Sequence, residues 1–232
     1  MDDTYRLPRI DLIEFCKSHN IKFKEHFALE FDKIAFISGN ISFFEVVALA
    51  TLIVQFVPER VMELGTFNGR TTLNMALNMM GGDIVTVDLP KDAPTKLPLA
   101  DGKNEPDDEL GFIGLTDKLF TNYPKRPAGY IQIASIQQIW SDSALIDHDI
   151  YRDHFDFMFV DASHSYENCG NDTATAFELV KQGGIIAWHD YNGWPGVTKA
   201  LNHAAHHIHT NTKFYWMHDT SIVVAMNNKR GR

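Results

Sequence analysis

Beyond residue 40, short apolar runs alternate with amphipathic stretches of helical period, the pattern of an α/β domain built on a mostly parallel sheet. A helix is expected over residues 42 to 56, stopped by Pro58, and a first strand over Arg60 to Leu64 that breaks at Gly65. The turn Thr66-Phe-Asn-Gly69 opens a second helix, Arg70 to Met80, which stops at Gly81-Gly82. A second strand, Ile84 to Val87, ends on Asp88. A third strand is expected over Tyr130 to Ala134 and a helical stretch around Ser135 to Asp147. The near-continuous apolar run Phe155 to Val160 reads as a central strand buried on both faces, ending on Asp161. A helix to about Lys181, a turn at Gln182-Gly183-Gly184, a strand Ile185 to Trp188 and a helix from Val197 to Thr210 follow. Two short strands, Lys213 to Met217 and Ser221 to Met226, close the sheet as an antiparallel edge hairpin.

Two regions break this rhythm. Residues 1 to 40 form a mixed helical and irregular extension to a domain spanning 41 to 232. Residues 89 to 130 hold six of the nine prolines and read as an insert, the kind of segment that serves as a lid or binding loop or as a surface excursion.

Composition narrows the field. The chain is 44% hydrophobic, 12% aromatic and 22% charged, ordinary globular usage. Its formal charge of −9, from 21 basic and 30 acidic residues without a basic stripe, argues against nucleic acid and for a small-molecule partner. Cys16 and Cys169 stand in no metal or redox spacing, which fits two reduced thiols. The first residues carry neither a basic nor an apolar leader pattern, and the apolar stretch Val46 to Val54 is too short to span a bilayer. A cytoplasmic protein with no membrane partner is the expectation.

The chemistry gathers at strand ends. In open α/β sheets the ligand sits beyond the carboxyl ends of the strands, and that edge receives Glu63, Asp88, Asp161 and Asp190. The turn Glu63-Leu-Gly-Thr-Phe-Asn-Gly69 spaces its glycines G-x-x-x-G rather than G-x-G-x-x-G. A dinucleotide would bring its pyrophosphate to the helix start here, where Glu63 would oppose it. An ammonium and a sulfonium suit Glu63 better, and Asp88, nineteen residues after Gly69, can accept both hydroxyls of a ribose. S-adenosylmethionine (SAM) is therefore favoured over a nicotinamide cofactor. His164, three residues after Asp161, titrates near neutrality and is a candidate general base, or else a helix cap or structural partner of Asp161. The four histidines His203, His206, His207 and His209 lack an accompanying carboxylate or cysteine and read as a solvated helix face. Trp188 reads as core or pocket floor, and Tyr191 or Trp194 as the aromatic to touch a ligand.

On VMELGTFNGRTT, VTVD, FMFVDASHSYE, LVKQGGIIAWHDY, PGVTKAL and TSIVVA, the chain resembles class I SAM-dependent methyltransferases, within the group that includes macrolide-sugar O-methyltransferases and cephalosporin-hydroxylase-like proteins. The resemblance implies a doubly wound, Rossmann-like, seven-stranded sheet. It also implies that Glu63, Gly65, Thr66, Phe67, Asn68, Gly69 and Thr71 surround the methionine end of the cofactor, Asp88 the ribose, Asp142 and Ser143 the adenine, with Asp161 also at the cofactor. Asp161 and Asp190 would hold a divalent metal, Mg²⁺ or another, as carboxylate oxygens do. His189 stands where several metal-using relatives have an acid, and an imidazole shifts the preference toward softer ions. His164 would act as base with Asp161 beside it. The implied function is O-methylation of a small metabolite, sugar-like or a natural product, in a chain for which self-association is compatible. Two alternatives stand beside it: a cofactor-binding, non-transferase partner of a hydroxylase-like assembly, and an NAD-dependent oxidoreductase.

Overall fold

The computed structural model describes residues 5–21, 29, 38–89, 134–207 and 212–228. The elements run β1 (Arg9–Ile10), α1 (Leu12–Ser18), α2 (Phe43–Phe56), β2 (Arg60–Leu64), α3 (Arg70–Asn78), β3 (Asp83–Asp88), β4 (Ser135–Trp140), a 3₁₀ turn (Ser143–Leu145), α4 (His148–Tyr151), β5 (Phe155–Val160), α5 (Tyr166–Leu179), β6 (Val180–Trp188), α6 (Pro195–His207), β7 (Phe214–Met217) and β8 (Val223–Met226). They form one sheet in the order β1-β7-β8-β6-β5-β2-β3-β4. The pairings β2·β3, β2·β5, β3·β4 and β5·β6 are parallel, while β8 runs antiparallel to both β6 and β7. Six of the seven expected strands are thus present, β4 follows the place of the expected third, and the extension adds β1 by pairing Arg9 and Ile10 with β7.

Alternation along the strands makes three layers. Val61, Phe157, Phe159, Ile185 and Ala187 face α2 and α3, whereas Met62, Leu64, Met158, Val160, Ile186 and Trp188 face α5 and α6. Side chains on both faces of the central strands are buried, as parallel sheets require. After β2 the chain builds outward through β3 and β4, then returns to lay β5 on the other side of β2. This makes β2/β5 the switch point where such sheets bind ligands.

Two expectations are corrected. The stretch from Ser135 is not helical: Ser135–Trp140 is strand β4, and the helix there shrinks to a 3₁₀ turn and the four residues of α4. The turn at Gln182-Gly183-Gly184 lies inside β6, where the pairing with β5 shifts register between Phe155 and Phe157. The proline-rich insert beyond Leu89, residues 130–133 of the expected third strand and His209 fall outside the described residues. No helix among the described residues is long and apolar enough to cross a membrane. Both cysteines are buried and free, and burial pushes the Cys169 thiol up to about 12.

Candidate functional site

The glycine turn leaves β2 at the switch point. Gly65 has φ +91°, and a Cβ there would lie 1.9 Å from the carbonyl oxygen of Asp161 on the neighbouring strand. Only glycine lets the ends of β2 and β5 come this close. The turn closes with Gly69 N–H donating to Thr66 O at 2.8 Å, and Gly69, at φ 74°, starts α3. Phe67 is also left-handed, at φ 49°. Its N–H donates to Asp88 Oδ2 at 2.7 Å, while Leu89 N–H donates to Oδ1 at 2.9 Å. Asn68 is buried and exchanges amide hydrogen bonds with Asn40, at 2.7 and 3.0 Å. Thr71 is half-buried on the first turn of α3.

Glu63 is fully buried under this turn. Its Oε2 accepts hydroxyl hydrogen bonds from Thr72 and, at 2.6 Å, from Thr86, whose hydroxyl also meets that of Thr66. Oε1 has no hydrogen-bond partner among the described residues. Burial, aided by the nearby charges of Asp161 and Asp88 and opposed by the two threonine hydroxyls, pushes the carboxyl up to about 8. A raised carboxylate pKa means that the folded chain holds a proton the unfolded chain has released. Stability from this group is therefore lost as pH climbs from the usual carboxylate range toward 8. The Glu63→Gln variant is expected to exceed the parent by about 1–3 kcal/mol in urea unfolding at pH 8 and to match it near pH 4, the scale of a buried unsatisfied polar group. An equal difference at both pH values would show that the effect is not ionisation.

Asp88 and Asp142 belong to adjacent strand ends, joined where Ser141 N–H donates to Asp88 O at 2.8 Å. Asp142 is buried and caps the 3₁₀ turn through Ala144 N–H at 2.9 Å. Ser143 Oγ donates to Asp172 Oδ1 at 2.7 Å, and burial lifts that carboxyl to about 6.

Beyond β5 and β6 lie the remaining candidates. Asp161, His164 and Asp190 each offer one ligand atom within 4.8 Å of the others. His164 Nε2 sits 2.7 Å from Asp190 Oδ2, and its ring stacks on Trp194 with centroids 4.3 Å apart and planes 9° from parallel. Burial works against the His164 charge, but the hydrogen bond and charge of Asp190, helped by Asp161, outweigh it and raise the pKa. His189 is buried among carboxylates: Nδ1 is 3.2 Å from Asp161 Oδ1 and 3.3 Å from Asp190 Oδ1, and Nε2 is 3.2 Å from Glu45 Oε2. Burial again opposes the charge, and the three carboxylates overcome it. Asp190 is held well below the usual carboxylate range, against its burial, by His164 and His189. A small open pocket is lined by Asp161, His164, Cys169, Trp188, His189 and Asp190.

The strand-end residues thus converge, with three adjustments. Tyr191 is core, its hydroxyl accepting from Leu7 N–H and donating to Asn202, so Trp194 alone of that pair reaches the site surface. Trp188 is fully buried and stacks on Phe214. Among the α6 histidines, His203 meets Tyr166 and His206 meets Tyr5, with no carboxylate among the described residues completing a donor set. Sequence reasoning missed Glu45, Thr72, Thr86 and Asn40. Thr86 alone left a signal, as the one polar residue inside the apolar strand Ile84–Val87.

A family model described as a methyltransferase domain matches residues 62–191, more than half of the chain. The chain belongs to this methyltransferase family. No curated protein matches the methyltransferase in sequence. Among solved structures it is similar to an O-methyltransferase from Bacillus cereus in complex with SAH, with 14% identity over 93% of this chain and 88% of that one and a TM-score of 0.54. The SAH-bound Podospora anserina methyltransferase PaMTH1 is 13% identical over 94% and 88%, at 0.57. The O-methyltransferase TomG from Streptomyces achromogenes, in complex with SAM, is 14% identical over 93% and 96%, at 0.52. At such identities the methyltransferase shares with them a fold.

Proposed function

We propose that the protein transfers the methyl group of SAM to a hydroxyl oxygen of a small molecule, with His164 as the general base. The observation that carries this reading is the His164–Asp190 pair at 2.7 Å, beyond the same sheet edge as the Glu63–Gly69 turn. The SAM- and SAH-bound neighbours support the choice of cofactor. So does Glu63 Oε1, a buried oxygen without a partner among the described residues at the end of the strand where the cofactor's ammonium would lie, a cation whose arrival would favour the ionised carboxylate. When bound, SAM supplies an electrophilic methyl on a sulfonium. The backbone of Gly65 to Gly69 would admit the ligand closely, Asp88 would meet the ribose diol, and Asp142 and Ser143 would flank the adenine. Asp190 takes the Nε2–H of His164, which leaves Nδ1 to accept the proton of the acceptor hydroxyl, the logic of an acid-oriented histidine base. Trp194, stacked on the imidazole, fixes its plane.

A second reading is favoured by the three donor atoms of Asp161, His164 and Asp190. Two carboxylates and an imidazole fit a divalent cation of the Mn²⁺, Fe²⁺ or Zn²⁺ kind. Such an ion would lower the pKa of an acceptor hydroxyl bound to it. His189, enclosed by Glu45, Asp161 and Asp190, orients these carboxylates.

Calorimetry with SAM, SAH and NAD, each with and without added divalent metal, tests the cofactor. Binding of NAD alone would defeat the methyltransfer reading in favour of an oxidoreductase. Asp161→Asn separates the two site readings. It is expected to abolish any metal-stimulated turnover with SAH binding largely intact, and full activity in that variant would end the metal reading.

A further inference from the structure

We propose that Glu45, on the first turn of α2, is a positioning residue that fixes the Asp161–Asp190 carboxylates through His189 and Ser221. The inference rests on the function above only in assigning Asp161 and Asp190 to the reaction. Glu45 lies far from both in sequence and is buried, yet its two oxygens serve four groups. Oε2 accepts from Ser42 N–H at 2.9 Å, closing a capping box, and faces His189 Nε2 at 3.2 Å. Oε1 accepts from Ser221 N–H and Ser221 Oγ–H, both at 2.7 Å. The Ser221 hydroxyl, its proton committed to Glu45, accepts from Asp190 N–H at 3.3 Å, and Ser221 O accepts from Tyr191 N–H at 2.9 Å.

This matters because Asp190 has φ 64°, a left-handed conformation that a residue other than glycine keeps only when its surroundings impose it. Glu45 imposes it from two sides. Through Ser221 it holds the backbone of Asp190, and through His189 it holds an imidazole within 3.3 Å of both catalytic-edge carboxylates. A helix cap alone would need one oxygen, and the second would face water; here both are buried and spent on the site. Only a carboxylate can do this, since a glutamine offers one oxygen and one NH₂. With its oxygen on Ser42 it turns NH₂ toward the two Ser221 donors, and in the opposite orientation it abandons the cap. The first orientation breaks the link through Ser221 and the second the link through His189, so neither keeps both holds on the site.

The test needs no methyl acceptor. In ¹⁵N-labelled protein at fixed pH, Glu45→Gln is expected to displace the ring nitrogen resonances of His164 and the amide of Asp190, although Glu45 touches neither. Ser42→Ala removes the cap without touching His189 or Ser221, and is expected to leave both signals in place. Unchanged His164 resonances in Glu45→Gln, or equal displacement in Ser42→Ala, would overturn the proposal. Should Glu45→Gln fail to give a dispersed spectrum, Ser221→Ala cuts only the hydroxyl link and must shift the same His164 and Asp190 signals for the proposal to stand. Loss of SAH binding in the parent protein would defeat the methyltransfer reading and leave these outcomes intact.

Discussion

Replacing Gly65 with alanine is expected to cost more than about 3 kcal/mol of stability and to remove SAH binding with it, placing the substitution in the tail of point-mutant effects. The added Cβ would meet Asp161 O at 1.9 Å and Asp161 C at 2.6 Å. Both are backbone atoms of the residue that follows β5, tied to β2 by Asp161 N–H donating to Leu64 O at 2.8 Å, so no side chain can swing aside. Relief requires the strand ends to part at the switch point. That motion also pulls Gly65 N–H from Val87 O and carries Asp161 away from His189. The φ of +91° adds strain of its own. Gly183 provides the control: its φ is +81°, but nothing lies within 4 Å of a Cβ there, so Gly183→Ala is expected to cost only the left-handed strain of roughly 1–2 kcal/mol. Urea midpoints for both variants, with SAH calorimetry on each, check the pair. A Gly65→Ala protein as stable as Gly183→Ala would show that the crowding at the switch point is not what the turn requires.

The Gly65 position was legible in the sequence because it needs only a strand, a turn glycine and a helix in order. The same is true of Asp88, Asp161 and Asp190, since each ends an apolar run and parallel strands deliver their ends to one edge. Strand β4 was misread for the converse reason. Ser135–Trp140 is an edge strand, half-exposed, with Gln137 and Gln138 at its middle, so it lacks the apolar run that marks β5. Gln138 also serves the site side of the sheet, donating to Thr66 Oγ1 at 2.9 Å, which a hydrophobicity pattern scores as merely polar.

Glu45 was illegible for a deeper reason. On the pattern it is the polar flank of an apolar helix, and its capping box with Ser42 already explains a glutamate there. Its second role depends on Ser221, 176 residues away, and on β8 lying beside β6, a pairing no local signal encodes. His189 shows the same limit. The sequence places it next to Asp190 and invites a ligand role, but which groups surround each ring nitrogen follows from how α2 packs over the strand ends. An imidazole between Glu45 and two aspartates faces carboxylate oxygens at 3.2–3.3 Å from both nitrogens. The half-buried cluster of Asp161 and Asp190 is instead completed by His164, whose loop leaves β5 and returns over Asp190. Close packing of Gly196, whose Cβ would fall 2.3 Å from His164 O, holds that loop against the start of α6.

His164→Asn is expected to lower methyl transfer by roughly 10²–10⁴-fold, the span general-base removal commonly produces, while SAH affinity stays near that of the parent. The amide is small enough to fit and keeps a donor for Asp190, but it takes up no proton near neutrality. Transfer can be followed as SAH released from SAM with a panel of sugar and phenolic hydroxyl acceptors. The pH profile adds a test that a packing defect would fail. Because Asp190 and Asp161 raise the His164 pKa against its burial, the neutral imidazole accumulates only above its ordinary 6.5, so activity should climb with pH through a value above that point. Asp190→Asn removes the dominant partner at 2.7 Å, which should move the climb to lower pH while reducing the plateau, since Nε2–H is no longer held by a carboxylate. His164→Asn should lose the climb altogether. A parent profile flat from pH 6 to 9, or a His164→Asn variant that keeps the limb, would assign proton removal to a different group and leave His164 as a ligand to a cation with Asp161 and Asp190.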